Sequence, residues 1–230
     1  PDTSNGESAG DICELTSTGF QSRHTHQYLD GGEDYIYVAI RRGPLASPSS
    51  ASDVFNIDTR GSTGDGNEPA YRSTFPVDFA LQKNINQALN WNVKARVLGK
   101  ADLNTNTTSA TQTANYNEFD YMNGHFSRDN TDANQMSWMW RRGVGYFDVC
   151  SWTGNDSAGR AIPHNLGVVP EMIWVKNRDA MVEWMVFHKD VSNAFLKLNT
   201  NDTATGGYAF GQSSSDDSQT ATNFYVSSGN

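Results

Sequence analysis

Two histidines separated by a single residue, His24 and His26, are the first candidates for chemistry in this chain. Side chains two residues apart on a β-strand point to the same face, so both imidazoles could bind one metal ion. In a three-fold assembly, such pairs would place their nitrogen atoms around one axis. The other interpretation is two solvated side chains in a loop. A structural metal ion at His24 and His26 is the one cofactor that the sequence suggests, and we expect no other.

A second candidate lies between two prolines and contains His164, Asn165 and Gly167. In one interpretation the imidazole of His164 is a metal ligand or a catalytic base. In the other the segment is a structural turn, in which His164 hydrogen-bonds to the backbone and Asn165 or Gly167 adopts a left-handed conformation. The flanking prolines favour the structural turn.

A tryptophan beside a turn offers a candidate binding site. Trp152 precedes the turn-forming sequence Thr153-Gly154-Asn155-Asp156, and an exposed aromatic ring in such a place could stack on a sugar. Four other tryptophans lie in expected strands and are predicted to be in the core: Trp138, Trp140, Trp174 and Trp184. Trp152 and Asn155 are therefore the candidate binding residues.

Composition and missing motifs exclude several classes of function. The 230 residues carry a formal net charge of −9, whereas a nucleic-acid-binding protein needs a basic face. No apolar run approaches the length of a membrane-spanning helix. The sequence contains no phosphate-binding glycine loop and no Gly-x-Ser-x-Gly string, and its carboxylates are scattered. We therefore predict a protein without enzymatic activity, nucleic-acid partner or membrane span.

The elements that would position these residues are repeated along the chain. The matched pairs and their separations are Pro76 and Pro170 (94 residues), Trp91 and Trp184 (93), and Leu-Asn-Thr-Asn strings beginning at Leu103 and Leu198 (95). A second similarity, with a separation of 100 residues, relates 35–43 to 135–143. A period near 95 residues fits a small domain. The sequence therefore predicts tandem copies of one module.

These modules are predicted to be built from β-strands. Aromatic and β-branched runs at 35–40, 136–140 and 172–175 alternate with turn-forming clusters. Residues 77–98 carry apolar side chains at every fourth position, which alone indicates a helix. Their counterpart, 172–187, is too rich in tryptophan, valine, isoleucine and phenylalanine for an amphipathic helix, so we predict strands in both. The expected fold class is all-β, with tandem jelly-roll or immunoglobulin-like β-sandwich modules of about 95 residues.

The repeat divides the chain into three predicted parts. Residues 1–43 are the closing strands of a preceding module, and residues 44–142 form a complete β-sandwich module. Residues 143–230 form a second β-sandwich module that lacks its closing strand. The array of modules is thus expected to be incomplete at both chain ends.

The same correspondence predicts a pairing of strands. Residues 119–126 should pair with 136–142 in one sheet, as 12–20 should pair with 35–42. Trp138 is then expected to point into the core of its module, where a buried aromatic ring removes about 150–250 Å² from water.

One long motif carries a family resemblance. It comprises Tyr146-Phe147-Asp148-Val149, then Thr153-Gly154-Asn155, and then 159–177, which includes Ile162-Pro163-His164-Asn165-Leu166-Gly167 and Pro170-Glu171-Met172-Ile173-Trp174-Val175-Lys176-Asn177. This motif resembles a repeated module of large structural proteins of marine bacteriophages and cyanophages. The similarity covers nearly all of 12–230, whereas 44–110 lacks the Ile-x-His-Asn-Leu-Gly string.

The resemblance implies a structural protein of the virion surface, in a tail fibre, baseplate or other appendage. Expected partners are other copies of the chain (three-fold symmetry is common in phage fibres), other virion proteins and a host-surface glycan. The expected task is particle architecture and attachment to the host. The alternative is a carbohydrate-binding β-sandwich module of a secreted bacterial protein.

Overall fold

A computed structural model describes residues 47–60, 69–113, 117–127, 132–207, 209–213, 216 and 218–227, and the backbone of 13–16 and 19–22. The chain divides into two compact units, residues 1–43 and 44–230. In the first unit, β1 (Cys13–Thr16) and β2 (Gly19–Ser22) form an antiparallel hairpin. The predicted strand at 35–42 lies outside the described residues.

The described part of the second unit is all-β, as predicted. Two short 3-10 turns, Ala51–Asp53 and Arg96–Leu98, accompany antiparallel strands. The strands are β3 (Phe55–Thr59), β4 (Tyr71–Arg72), β5 (Phe79–Asn84), β6 (Asn92–Ala95), β7 (Ala101–Asn104), β8 (Gln112–Thr113), β9 (Asn117–Glu118), β10 (Gly124–Ser127), β11 (Gln135–Trp140), β12 (Arg160–Pro163), β13 (Met172–Val175), β14 (Met185–His188), β15 (Ala194–Lys197), β16 (Thr205–Gly206) and β17 (Asn223–Val226).

Two sheets surround the core of the first half of this unit. One sheet has the strand order β3-β11-β5-β6-β7-β8 and the other the order β4-β10-β9. Both contribute to one apolar cluster, in which Ala80 and Met139 of the larger sheet meet Tyr71 and Phe126 of the smaller one. Alternate residues of β5 and β11 are buried, which is the pattern of strands with one face on a core. We call the other face of the larger sheet its outer face.

The segment with helix-like spacing is made of strands, as its counterpart indicated. Residues 79–84 and 92–95 are β5 and β6, joined by a loop. Their side chains alternate between the core and the outer face of the sheet, and Val93 pairs with Leu81 on that outer face. Tertiary packing of both faces thus overrides the four-residue spacing of the apolar residues.

The second half contains a four-stranded sheet, β13-β14-β15-β16, and a two-stranded sheet, β12-β17. Phe187 of β14 packs against Phe210, with ring centroids 5.8 Å apart, and Phe210 bridges to Val226 of β17. Buried aromatic residues therefore join the two sheets of this half, as in the first half.

The two halves share one strand register. Phe79 pairs with Ala95 across β5 and β6, and Met172 pairs with His188 across β13 and β14, a shift of 93 residues at both ends. The pairings of β6 with β7 and of β7 with β8 recur at the same shift in β14, β15 and β16. The meander β5–β8 is therefore repeated as β13–β16.

Two expectations about the first half were wrong. Strand β10, which overlaps the expected segment 119–126, pairs with β4 and β9, whereas β11 pairs with β3 and β5. Trp138 is partly exposed, because Ser137 and Met139 are the residues of β11 that are fully buried.

His125 is a fully buried histidine in the core of the first half. Its Nε2 lies 2.9 Å from Oγ of Ser137, and its ring stacks on Tyr71 and Phe119. Burial, and next the charge of Lys94, lowers the pKa of His125 from 6.5 to about 3. The native state therefore holds this imidazole neutral down to acidic pH.

Acid is expected to destabilise the protein through His125. Below pH 6.5 His125 binds a proton in the unfolded chain but not in the native state, so the free energy of unfolding falls as the pH drops toward 3. At about 1.4 kcal/mol per pH unit, His125 makes the protein about 2 kcal/mol less stable at pH 5 than at pH 7. Urea unfolding across this range should show a smaller pH slope for His125→Gln. An unchanged slope in the variant would contradict the assignment.

Candidate interaction surfaces

Trp184 makes a buried contact between the two halves. Its side chain is 5 % exposed, and it packs against Val93 and Leu103 on the outer face of the larger sheet. Its indole Nε1 donates a 2.8 Å hydrogen bond to the backbone carbonyl of Asn104. The buried ring supplies apolar contact area, and the hydrogen bond of its indole N–H makes the contact specific.

Neighbouring residues extend this contact. The backbone N–H and the hydroxyl of Thr111 donate to the carbonyl of Arg178 at 2.7 and 2.8 Å. Leu198 packs on the same apolar cluster as Trp184. We call residues 176–184 the docking loop. The surface that receives it is the socket, formed by Phe79, Leu81, Val93, Leu103 and the carbonyl of Asn104.

The backbone around Trp184 is fixed by a hydrogen-bond pattern that recurs at Trp91. The N–H of Trp184 donates to Oδ1 of Asn199 at 2.9 Å, and the N–H of Trp91 donates to Oδ1 of Asn106 at 3.0 Å. Trp91 and Trp184 are 93 residues apart, and so are Asn106 and Asn199. The Leu-Asn-Thr-Asn strings, 95 residues apart, are therefore not equivalent in structure, because Asn106 corresponds to Asn199 and not to Asn201.

Trp91 and its surroundings are exposed, in contrast to Trp184. The side chain of Trp91 is 37 % exposed and stacks on Trp138, with ring centroids 5.1 Å apart. Nζ of Lys83 lies 5.9 Å from the centroid of a Trp91 ring. Ile85 and Leu89, in the same loop, are 52 % and 45 % exposed. The last two residues of β5 and the loop that follows, 83–91, correspond to the docking loop at a shift of 93, and we call them the free loop.

A second exposed apolar surface lies on β13. Met172 is 51 % exposed and Trp174 is 38 % exposed, and the indole Nε1 of Trp174 donates to the sulfur of Met172 at 3.0 Å. At the shift of 93 these residues correspond to Phe79 and Leu81 of the socket. The expectation that Trp174 lies in the core is therefore wrong, because residue type alone does not reveal which sheet face is covered.

The predicted binding residues Trp152 and Asn155 are not joined into a common site. The ring of Trp152 is partly buried and meets Phe224 edge-on, with centroids 5.4 Å apart. Asn155 is exposed, and its Oδ1 accepts the N–H of Ser157 at 3.2 Å. Trp152 therefore has a packing role, and its binding role remains a prediction.

The segment from His164 to Gly167 has the geometry of a structural turn. Nε2 of His164 lies 3.1 Å from the carbonyl of Thr220, and its Nδ1 accepts the N–H of Leu166 at 3.2 Å. Both ring nitrogens of His164 are therefore bonded to the backbone, as expected for a structural turn. Gly167 adopts a left-handed φ of 71°.

A buried carboxylate connects this turn to the preceding segment. Oδ2 of Asp148 accepts the backbone N–H of Asn165 at 2.8 Å, while its Oδ1 accepts from Arg142. The side chain of Asp148 is 4 % exposed. Two separate parts of the long motif, Phe-Asp-Val and His-Asn-Leu-Gly, are thus held together by one side chain.

The candidate metal ligands His24 and His26 lie outside the described residues. Within the described part of the chain, no group of three or more histidine, cysteine or carboxylate side chains could hold a metal ion. In the same part, no helix is long and apolar enough to cross a membrane.

Residues 50–230 match a family described as "domain of unknown function (DUF7483)". The chain belongs to this family. The DUF7483 domain spans both meanders, and it therefore includes the docking loop together with its socket. No curated protein and no solved structure matches the chain.

Proposed function

We propose that the protein is a non-enzymatic structural component of a bacteriophage particle, in a tail fibre or another surface appendage. It takes part in particle architecture and in attachment to the host surface. One observation carries the proposal: a four-stranded meander occurs twice in one register, and Trp184 of the second copy docks on the first. Repeated units joined through a buried side chain suit an extended appendage.

The proposal includes tandem β-sandwich modules of about 95 residues, with the boundaries derived from the sequence repeat. Its support is the arrangement of two sheets around a shared apolar cluster in the first half. The resemblance of 146–177 to a repeated module of phage structural proteins supports the location in the virion. Partners under this proposal are other copies of the chain, other virion proteins and a host-surface glycan.

Peptide mapping of purified particles tests the location. Peptides from 50–230 should be present in washed particles of a phage that encodes the chain, in a constant ratio to known tail proteins. Particles that contain the tail proteins but lack these peptides would contradict the proposal. Lysate proteins that do not sediment with the particles are the control for contamination.

A second candidate function is carbohydrate binding by a module of a secreted bacterial protein. It is favoured by the exposed aromatic surface around Trp91 and Trp138 and by Trp174, because such rings stack on sugars. Glycan-array binding that Trp91→Ala or Trp174→Ala abolishes would support it. Trp152→Ala tests the site expected from the sequence. If Trp152→Ala alone abolishes binding, the sugar binds at the 152–155 turn.

A further inference from the structure

The first half of the DUF7483 domain carries a loop equivalent to the docking loop, whose Trp91 stacks on Trp138 of its own sheet and stays 37 % exposed. The free loop, residues 83–91, corresponds to the docking loop in strand register and in the hydrogen bond that fixes its tryptophan. It exposes Ile85, Leu89 and Trp91. Within the described residues, Nε1 of Trp91 has no hydrogen-bond partner, whereas Nε1 of Trp184 bonds to a carbonyl.

The second half carries the complementary surface. Met172 and Trp174 correspond to Phe79 and Leu81 of the socket, and Val186 pairs with Leu196 as Val93 pairs with Leu103. We call this surface the free socket. Met172 and Trp174 are exposed, whereas Phe79 and Leu81 are partly covered by the docking loop. Val186, the counterpart of Val93, is only 4 % exposed, so Met172 and Trp174 form the open part of the free socket. Each chain thus presents one free loop and one free socket.

We propose that the free loop of one chain docks on the free socket of a second copy. The contact inside the chain is the template: Trp91 would lie against Trp174 and Leu196, and its Nε1 would donate to the carbonyl of Lys197, the counterpart of Asn104. The inference deepens the proposed architectural function by naming its self-contact.

The contact joins unlike surfaces and is therefore heterologous. Such a contact leaves one free loop at one end of a dimer and one free socket at the other, so it continues into a line or a ring. Successive chains in such an assembly would then be related in the same way as the two meanders within one chain. A tryptophan edge that meets a carbonyl in an apolar setting also makes a specific contact.

Mixing of complementary variants tests the proposal. Trp91→Ala destroys the free loop but leaves the free socket, and Met172→Glu does the reverse. Sedimentation velocity should show concentration-dependent association of the unmodified chain, and monomers for either variant alone. An equimolar mixture of the two variants should give a dimer that grows no further, because one intact contact remains.

The expected size of the effect is that of a central interface tryptophan. Trp91→Ala should weaken association by about 30-fold or more. Met122→Ala, which alters a side chain 76 % exposed outside both surfaces, is the matched control and should associate normally. Circular dichroism shows whether each variant keeps its β structure, and Leu89→Glu is a second free-loop variant if Trp91→Ala misfolds.

Three outcomes would overturn the proposal: an unmodified chain that stays monomeric at high concentration, association that Trp91→Ala leaves unchanged, or a mixture of variants that stays monomeric. Binding of a glycan at Trp91 in a chain that stays monomeric would assign the surface to carbohydrate instead. None of these results changes the outcome of peptide mapping on particles, so the two proposals fail separately.

Discussion

Replacing Trp184 by alanine is expected to lower the free energy of unfolding by about 3–5 kcal/mol. The substitution removes a ring that is 5 % exposed from the cluster with Val93 and Leu103. It also leaves the carbonyl of Asn104 without its indole donor, at a typical cost of about 1 kcal/mol. Urea unfolding followed by circular dichroism measures the change.

The chain supplies its own matched control in Trp91. The two tryptophans occupy equivalent places in the meanders, but Trp91 is 37 % exposed. Trp91→Ala in the monomer should therefore cost much less than Trp184→Ala, about 1 kcal/mol. Trp184→Phe separates the ring from the hydrogen bond, since it keeps most of the apolar area. Equal losses at the two positions would contradict the assignment of Trp184 as the contact between the halves.

Asp102→Ala is expected to have an effect of similar size, about 3–5 kcal/mol. Nζ of Lys94 lies 2.6 Å from Oδ2 of Asp102, and the Lys94 side chain is fully buried while that of Asp102 is 13 % exposed. Asn117 also donates to this carboxylate. Removing the carboxylate takes an ion-pair partner from a fully buried ammonium group, so thermal unfolding at neutral pH should show a clear drop in stability.

A double variant distinguishes the cost of removing one charge of the pair from the contribution of the whole pair to stability. Lys94→Met combined with Asp102→Leu replaces both charges by apolar side chains, and it should be less destabilising than Asp102→Ala alone. Asp102→Asn keeps the shape and one acceptor oxygen, so it should fall between the two. If the double variant is the least stable of the three, the pair contributes directly and the interpretation fails.

Much of the strand content was predictable because apolar patterns on both faces of a sheet are short and bounded by turns. Strands β11, β13 and β14 lie where aromatic and β-branched runs predicted them. Comparison with the second copy gave the correct strands for β5 and β6, where the spacing within a single copy suggested a helix. Comparison of the two copies therefore gave the right secondary structure where the four-residue spacing of apolar residues alone did not.

The partners of the strands were less predictable, because pairing depends on contacts that are distant in sequence. The repeated Leu-Asn-Thr-Asn letters suggested a shift of 95, whereas the hydrogen bonds to Asn106 and Asn199 give 93. Trp138 was expected inside and stacks on Trp91 instead. Aromatic residues fit the core and the outer face of a strand equally well, so their type does not decide between the two.

The shared register of the two meanders creates a hazard during folding. The backbone of β14 could pair with β5 in place of β6, since both strands use the same alignment with their own partners. Chains with similar neighbouring modules misfold by such strand exchange. The exchange would put Phe187, which packs on Phe210, into the place where Lys94 meets Asp102. The buried charge of Lys94 in β6 therefore favours the correct pairing of β6 with β5 over the exchanged pairing of β14 with β5.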